Sequence, residues 1–125
     1  MKKIIATKNA PAAIGPYSQA TEAGGLLFIS GQLPMDAETG SLARPEIKAQ
    51  TEAALKNLEG ILAAEGLTLE HVVKTTVFMA DLGQFAQMNE VYGRFFAKNP
   101  PARATIEVKA LPKAALVEIE AIAAR

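Results

Sequence analysis

Two stretches near the C-terminus alternate between polar and apolar residues: Pro101–Val108 and Val117–Ile122. A period of two is typical of a β-strand with one face in a core, and the short separation favours an antiparallel hairpin. If the apolar rows of both strands share one face, then Arg103, Glu118 and Glu120 share the other. Those apolar rows are Ala104, Ile106 and Val108, and Val117, Ile119 and Ala121. The pattern therefore predicts a polar sheet face that could receive a small acid.

The rest of the pattern predicts four further strands and two helices. The strands are expected over Lys2–Ala6, Tyr17–Ala23, Leu26–Gly31 and Val72–Ala80, with a hairpin turn at Gly24-Gly25. One helix should end near Gly66, and Asp81 should cap the other. Their inner stripes are Ile47, Thr51, Ala54, Leu55, Leu58, Ile61 and Leu62, and Phe85, Met88, Tyr92 and Phe95. The order β-β-β-α-β-α-β-β makes the fold class α+β, in a single domain of residues 1–125.

Two helices can cover only one face of a sheet of this size. Leu26–Ser30 is mostly apolar, which predicts burial on both of its sides. An open sheet face that is partly polar and partly apolar is typical of an oligomer surface. We therefore expect a mixed sheet with helices on one face and further copies of the chain on the other.

Composition argues against several classes of function. The 13 basic and 13 acidic residues cancel without any Lys/Arg run, so no nucleic-acid partner is expected. The absence of cysteine excludes disulfides, a catalytic thiol and cysteine metal sites. The single histidine, His71, argues against a metal centre or a Ser-His pair, and we expect it to lie in a solvated turn.

The hydrophobic pattern also argues against a membrane partner. Thr7-Lys8-Asn9 interrupts the apolar run at the N-terminus, so no signal peptide is expected. No apolar run approaches the roughly 20 residues of a membrane span. We expect a soluble, cytoplasmic protein.

Arg103 is the sharpest candidate for a binding residue, because a guanidinium matches a carboxylate through two hydrogen bonds. Ion pairs are common on sheet faces, so the strand pattern alone favours a structural pair with Glu118 or Glu120. A partly desolvated carboxylate can also act as a general base on water. The pattern does not rank one glutamate above the other.

Three further positions could line a pocket. Tyr17 follows Gly15-Pro16, and its ring suits a pocket wall as well as a core position. Ser30-Gly31 ends an apolar strand, where a hydroxyl and open backbone can meet a ligand. Asn89 lies among the apolar positions of the second helix, and a buried amide needs hydrogen-bond partners. Each signal is weak alone.

Taken together, the residues resemble the RidA/YjgF family of enamine/imine deaminases. The motifs that carry the resemblance run nearly end to end: Ala13–Gln19, Ser30-Gly31-Gln32, Gln50-Thr51, Asn57-Leu58, Val73–Phe78, Asn89 with Tyr92, Pro101–Arg103, Leu111 and Val117–Ile119. The resemblance implies a chorismate-mutase-like fold and a homotrimer with a central barrel and active clefts between subunits. It also implies hydrolysis of 2-imino and enamine acids, such as 2-aminoacrylate and 2-aminocrotonate, to 2-keto acids and ammonia, without a cofactor or a metal.

The resemblance also assigns roles. Arg103 matches the family arginine that pairs with the substrate carboxylate, and Glu118 matches the acid that positions or activates the attacking water. The substrate-binding positions that it implies, besides Arg103, are Tyr17, Ser30, Gly31, Asn89, Ala104 and Thr105. Thr105 stands where many members have cysteine, and its backbone N–H can still contact the ligand.

Two other functions stay open at this stage. A trimer that binds carboxylates or acts like a chaperone would need Arg103 but not Glu118. Ribonuclease activity has also been assigned to members of the family, but this neutral chain offers no basic groove for RNA.

Overall fold

The computed structural model describes residues 1–125, which form six strands and two helices. The strands are β1 (Lys3–Ile5), β2 (Ala20–Ala23), β3 (Leu26–Gln32), β4 (Val72–Met79), β5 (Ala102–Glu107) and β6 (Val117–Ala124). The helices are α1 (Ile47–Ala64) and α2 (Phe85–Phe95). The predicted order β-β-β-α-β-α-β-β and the α+β class are confirmed.

The strands form one mixed sheet in the order β1-β2-β3-β6-β4-β5. The predicted β5–β6 hairpin is wrong, because β6 inserts between β3 and β4 and pairs antiparallel with both. β5 lies at the edge of the sheet, parallel to β4. The reason is α2, which connects β4 to β5: a strand–helix–strand crossover brings the second strand beside the first in parallel.

Both helices pack on the same face of the sheet. Every residue of the stripe predicted for α1 is buried. At one point α1 comes so close to the loop between β1 and β2 that a Cβ on Gly60 would lie 2.2 Å from the carbonyl oxygen of Asn9. Asp81 caps a 3₁₀ turn, Leu82–Gln84, which leads into α2, and Gly66 follows α1 with a left-handed φ of 71°. The two predicted helices are therefore present with small shifts at the ends, but of the stripe predicted for α2 only Met88 and Tyr92 are buried.

The second face of the sheet is open. In β3, Leu27 and Ile29 are buried against the helices, whereas Phe28 is 43% exposed. Val73 on β4 and Ile106 on β5 are also exposed. The expectation that β3 is buried on both sides is therefore not met within one chain, and apolar side chains remain exposed among the polar ones of the open face.

Buried amide side chains hold the loops at one end of the sheet. Gln19 donates to the carbonyl oxygens of Ala10 and Pro11. Asn57 on α1 donates to the carbonyl oxygens of Leu33 and Met35. Paired in this way, buried amides fix irregular backbone that regular secondary structure cannot satisfy.

Candidate active site

Arg103 lies on the helix-covered face of β5, under α2. Its guanidinium Cζ is 4.7 Å from the ring centroid of Tyr92 and 5.4 Å from that of Phe85. Its Nη1 donates a 2.7 Å hydrogen bond to Oδ1 of Asn89. Phe85, Asn89 and Tyr92 recur on α2 at intervals of four and three residues, so they share one helix face.

Arg103 has no acidic partner. Arg44, Arg94 and Arg125 each form an ion pair with a glutamate, and Arg103 is the remaining arginine of the chain. The structural ion pair that the strand pattern favoured is therefore absent. A guanidinium held in place without a counter-charge is suited to an anionic ligand.

The predicted grouping of Arg103 with the two glutamates on one face is wrong. The register places Arg103 beside Thr75, which in turn lies beside Ala121, and both Thr75 and Ala121 are buried under the helices. Glu118 lies beside Phe78 on the open face of the sheet. The apolar row of β5 consequently faces outward, with Ala104 and Ile106 exposed. The parity argument failed because β5 is an edge strand whose open-face apolar residues are not part of this chain's core.

Glu118 is half-buried on β6, against Gly31 of β3. A Cβ on Gly31 would lie 2.0 Å from Oε2 of Glu118, so only glycine leaves room for the carboxylate there. Burial raises the pKa of Glu118 above its ordinary value of 4.5, and the charge of Glu120 raises it further. A carboxyl group with a raised pKa takes up and releases a proton more readily near neutral pH.

Tyr17 and Gly31 border a cleft of about 430 Å³. Its other lining residues include Ile14, Leu33, Met35 and Lys113. The hydroxyl of Ser30 donates to the carbonyl oxygen of Ser18 at 2.6 Å, so it holds the loop that carries Tyr17. Tyr17 itself is 54% exposed. The structure thus brings Tyr17, Ser30, Gly31 and Glu118 to one region and Arg103 to another.

The remaining predicted positions differ in where they lie. Asn89 is exposed and bonded to Arg103, which corrects the expectation of a buried amide. The Thr105 hydroxyl is buried and has no hydrogen-bond partner. The N–H of Val108 donates to Met79 on β4, and N–H groups alternate in direction along a strand, so those of Arg103 and Thr105 point to the free sheet edge. The backbone contact expected of Thr105 is therefore geometrically open.

Sequence reasoning missed the relation of Phe85 and Tyr92 to Arg103. Their helical spacing predicts only an inner stripe, but Phe85 is 38% exposed and its ring lies over the guanidinium. The available signal was a pair of aromatic residues flanking Asn89 on one face of the helix. The backbone of Lys113 and Ala114 beside the cleft, left-handed with φ of 58° and 57°, also had no sequence signal.

No group of three or more potential metal ligands occurs in the chain. His71 lies in the 3₁₀ turn Leu69–His71, where Nδ1 accepts a hydrogen bond from the N–H of Thr68. The expected turn position is thus confirmed, with a structural contact. No helix combines the length and the apolar character needed to cross a lipid bilayer.

Comparison with known proteins places this geometry in context. The family model described as Endoribonuclease L-PSP matches residues 7–125. The chain belongs to the RidA/YjgF family. It is 48% identical to the 2-iminobutanoate/2-iminopropanoate deaminase of Salmonella typhimurium, an alignment that covers 100% of this chain and 99% of the relative.

Two further RidA/YjgF relatives show the range of names in the family. The RutC family protein PH0854 of Pyrococcus horikoshii is 52% identical over 98% of both chains. The crystal structure of E. coli TdcF with bound serine superposes with a TM-score of 0.94 at 43% identity, covering 98% of each chain. The RidA/YjgF fold predicted from the motifs is thus confirmed for the single chain, and a small amino acid binds to one relative.

Proposed function

We propose that this chain hydrolyses 2-imino and enamine acids, including 2-aminoacrylate and 2-aminocrotonate, to 2-keto acids and ammonia. The observation that carries the proposal is the guanidinium of Arg103, which lies against the rings of Phe85 and Tyr92 and has no acidic partner. A substrate carboxylate would supply the missing counter-charge. The deaminase name of the Salmonella relative and the serine bound to TdcF support a ligand of this size and class.

One chain does not bring the two proposed catalytic groups to one substrate, because Arg103 and Glu118 lie on opposite faces of its sheet. We infer that a second copy completes the site, in the homotrimer with a central barrel that the family resemblance implies. The exposed Phe28, Val73 and Ile106 support this assembly, since large apolar side chains left in water are stabilised when another copy covers them.

In this mechanism, Arg103 binds the carboxylate and orients the substrate. An enamine first takes up a proton at C3 and becomes the iminium ion, the protonated form of the imine, whose C2 is electrophilic. Glu118 accepts a proton from water as the water oxygen bonds to C2, and the proton passes to the nitrogen. The carbinolamine, now protonated on nitrogen, then collapses: its C–N bond breaks, ammonia leaves, and the C2 hydroxyl releases its proton to solvent as its oxygen becomes the ketone oxygen. Orientation and one proton carrier suffice, because the imine carbon needs no strong nucleophile.

This reaction requires only water, so no cofactor or metal enters the proposal. It would make the chain a hydrolase of C–N bonds that removes reactive metabolites. Because pyridoxal-phosphate-dependent dehydratases release such enamines, we place this protein in the cytoplasm beside them.

The direct test generates 2-aminoacrylate with a dehydratase and follows the release of pyruvate with and without the protein. We expect faster release with the protein. An unchanged rate across protein concentrations would sink the proposal.

The competing function is a carboxylate-binding or chaperone-like trimer without turnover. The variant Glu118→Gln separates the two, with Glu70→Gln as an exposed control. For the deaminase, kcat should fall roughly 100-fold or more while binding of 2-oxobutanoate persists. A biological effect that survives Glu118→Gln unchanged would favour binding alone.

A further inference from the structure

The arrangement of α2 over Arg103 leaves one edge of the guanidinium free. Asn89 accepts from Nη1, whereas Nε and Nη2 have no partner in the chain. Nε and Nη2 together form the side edge of the guanidinium, which can hold both oxygens of a carboxylate. The rings of Phe85 and Tyr92 approach within cation–π distance of the guanidinium and restrict its movement.

Tyr92 is itself fixed by its surroundings. Its hydroxyl and that of Thr75 are 2.7 Å apart and buried. Its ring packs on Phe96 with 4.7 Å between the centroids. Because Thr75 lies on β4 directly beside Arg103, the bond ties the ring to the strand next to the arginine. The guanidinium therefore rests on a ring that cannot easily swing away.

The contact with Asn89 is neutral, and this matters for binding. An aspartate at this position would accept the same hydrogen bond but would neutralise the guanidinium and repel an incoming carboxylate. An amide fixes the geometry and leaves the full positive charge for the ligand. The chemistry of the side chain, as well as its shape, therefore points to a role in ligand binding.

We propose that Phe85, Asn89 and Tyr92 are positioning residues that hold Arg103 with its Nε/Nη2 edge ready for the substrate carboxylate. The inference rests on the proposed function for the identity of the ligand. It reassigns Asn89 from contact with the substrate to contact with the arginine.

The test compares Asn89→Ala and Asn89→Asp with Gln87→Glu, which adds the same charge at an exposed position of the same helix. Binding of 2-oxobutanoate is measured by calorimetry, and KM and kcat are measured with 2-aminoacrylate. We expect affinity to fall about tenfold in Asn89→Ala and roughly a further tenfold in Asn89→Asp. KM should rise by similar factors while kcat changes less. Gln87→Glu should match the wild type.

Asn89→Asp, whose side chain has nearly the same shape as asparagine, distinguishes a structural role from a positioning role. If Asn89 were merely structural, Asn89→Asp would keep the hydrogen bond and behave like the wild type, and that result would overturn the proposal. So would a wild-type protein that does not bind 2-oxobutanoate at millimolar concentration. If the wild type binds this ligand with the expected ranking of variants but does not accelerate deamination, the positioning role stands and the proposed function fails.

The aromatic contacts have their own test. Tyr92→Phe keeps the ring and loses the bond to Thr75, whereas Tyr92→Leu loses both. We expect a loss of affinity of a few fold for Tyr92→Phe and at least about tenfold for Tyr92→Leu. Equal affinity in the wild type and Tyr92→Leu, with both proteins folded by circular dichroism, would remove the ring from the positioning role.

Discussion

Two arginines of this chain lie at sheet strands in opposite electrostatic situations. Arg125, which follows β6, donates from Nε and Nη2 to both oxygens of Glu22, at 2.8 and 3.0 Å. Its Nη2 also reaches Oε1 of Glu65 at 2.6 Å, and Lys3 bonds to the same oxygen. Arg103 on β5 has an amide and two rings as neighbours but no carboxylate.

The difference is between a charge that is balanced within the chain and one that has no counter-charge there. Around Arg125 the charges satisfy one another, and its hydrogen bond lowers the pKa of Glu22. Around the candidate site they do not: Arg103 lacks an anion, and burial raises the pKa of Glu118 beside a second acid. Perturbed and unbalanced charges cluster at functional sites because ligands complete them.

The largest difference in kcat/KM is expected between the variants that remove each of the two arginines. Arg103→Ala should lower kcat/KM by at least about 100-fold, or about 3 kcal/mol, because the substrate carboxylate loses its bidentate partner. Arg125→Ala should leave kcat/KM within about twofold, since exposed ion pairs do not touch the substrate. Steady-state kinetics with 2-aminoacrylate measures both.

Arg103→Lys sharpens the same comparison. It keeps the charge but loses the planar fork, so it should restore only part of the activity. Size-exclusion chromatography and circular dichroism check that all three variants retain the wild-type assembly and fold. Activity of folded Arg103→Ala near the wild-type level would show that the unpaired guanidinium is not functional.

Smaller effects are expected at two threonines on the same sheet face, where substitution by valine should change the free energy of unfolding in opposite directions. The Thr105 hydroxyl is buried without a partner, so Thr105→Val should raise the free energy of unfolding by about 1 kcal/mol. The Thr75 hydroxyl is bonded to Tyr92, so Thr75→Val should lower it by about 1–3 kcal/mol. Urea unfolding at fixed protein concentration measures both.

The two substitutions test whether the candidate site contains a buried hydroxyl group without a hydrogen-bond partner, at Thr105, beside one that has a partner, at Thr75. Thr105→Ser, which keeps the hydroxyl and loses the methyl group, serves as the control and should not be stabilised. A stability loss in Thr105→Val would mean that the hydroxyl finds a partner in the assembled protein.

The sequence was sufficient to predict the helices and strands, but not to predict which face of β5 is buried. Helix spacing identified α1, because every apolar position of its stripe faces the core of this chain. Alternation also identified β5 as a strand, but its apolar row, including Ile106, is exposed on the open face. An edge strand can carry its apolar row on the face that its own chain leaves open, so alternation alone does not tell which row faces the core. Arg103 and Glu118 could be named from motifs, but their separation across the sheet required the β6 insertion between β3 and β4.

The smallest effect concerns the second acid of the open face. Because the charge of Glu120 helps to raise the pKa of Glu118, Glu120→Gln should lower that pKa while the larger cause, burial, remains. If Glu118 acts as the base, the acid limb of kcat/KM should move to lower pH in Glu120→Gln but stay in place in the control Glu59→Gln on α1. The direction of the pKa shift also determines how stability depends on pH. Because folding raises the pKa of Glu118, the protein loses stability as the pH rises from the unfolded-state pKa to the folded-state pKa of this carboxyl group. Glu120→Gln should reduce this loss. An acid limb that stays fixed or moves upward would separate Glu118 from the rate, and the unbalanced charge of the open face would then need another explanation.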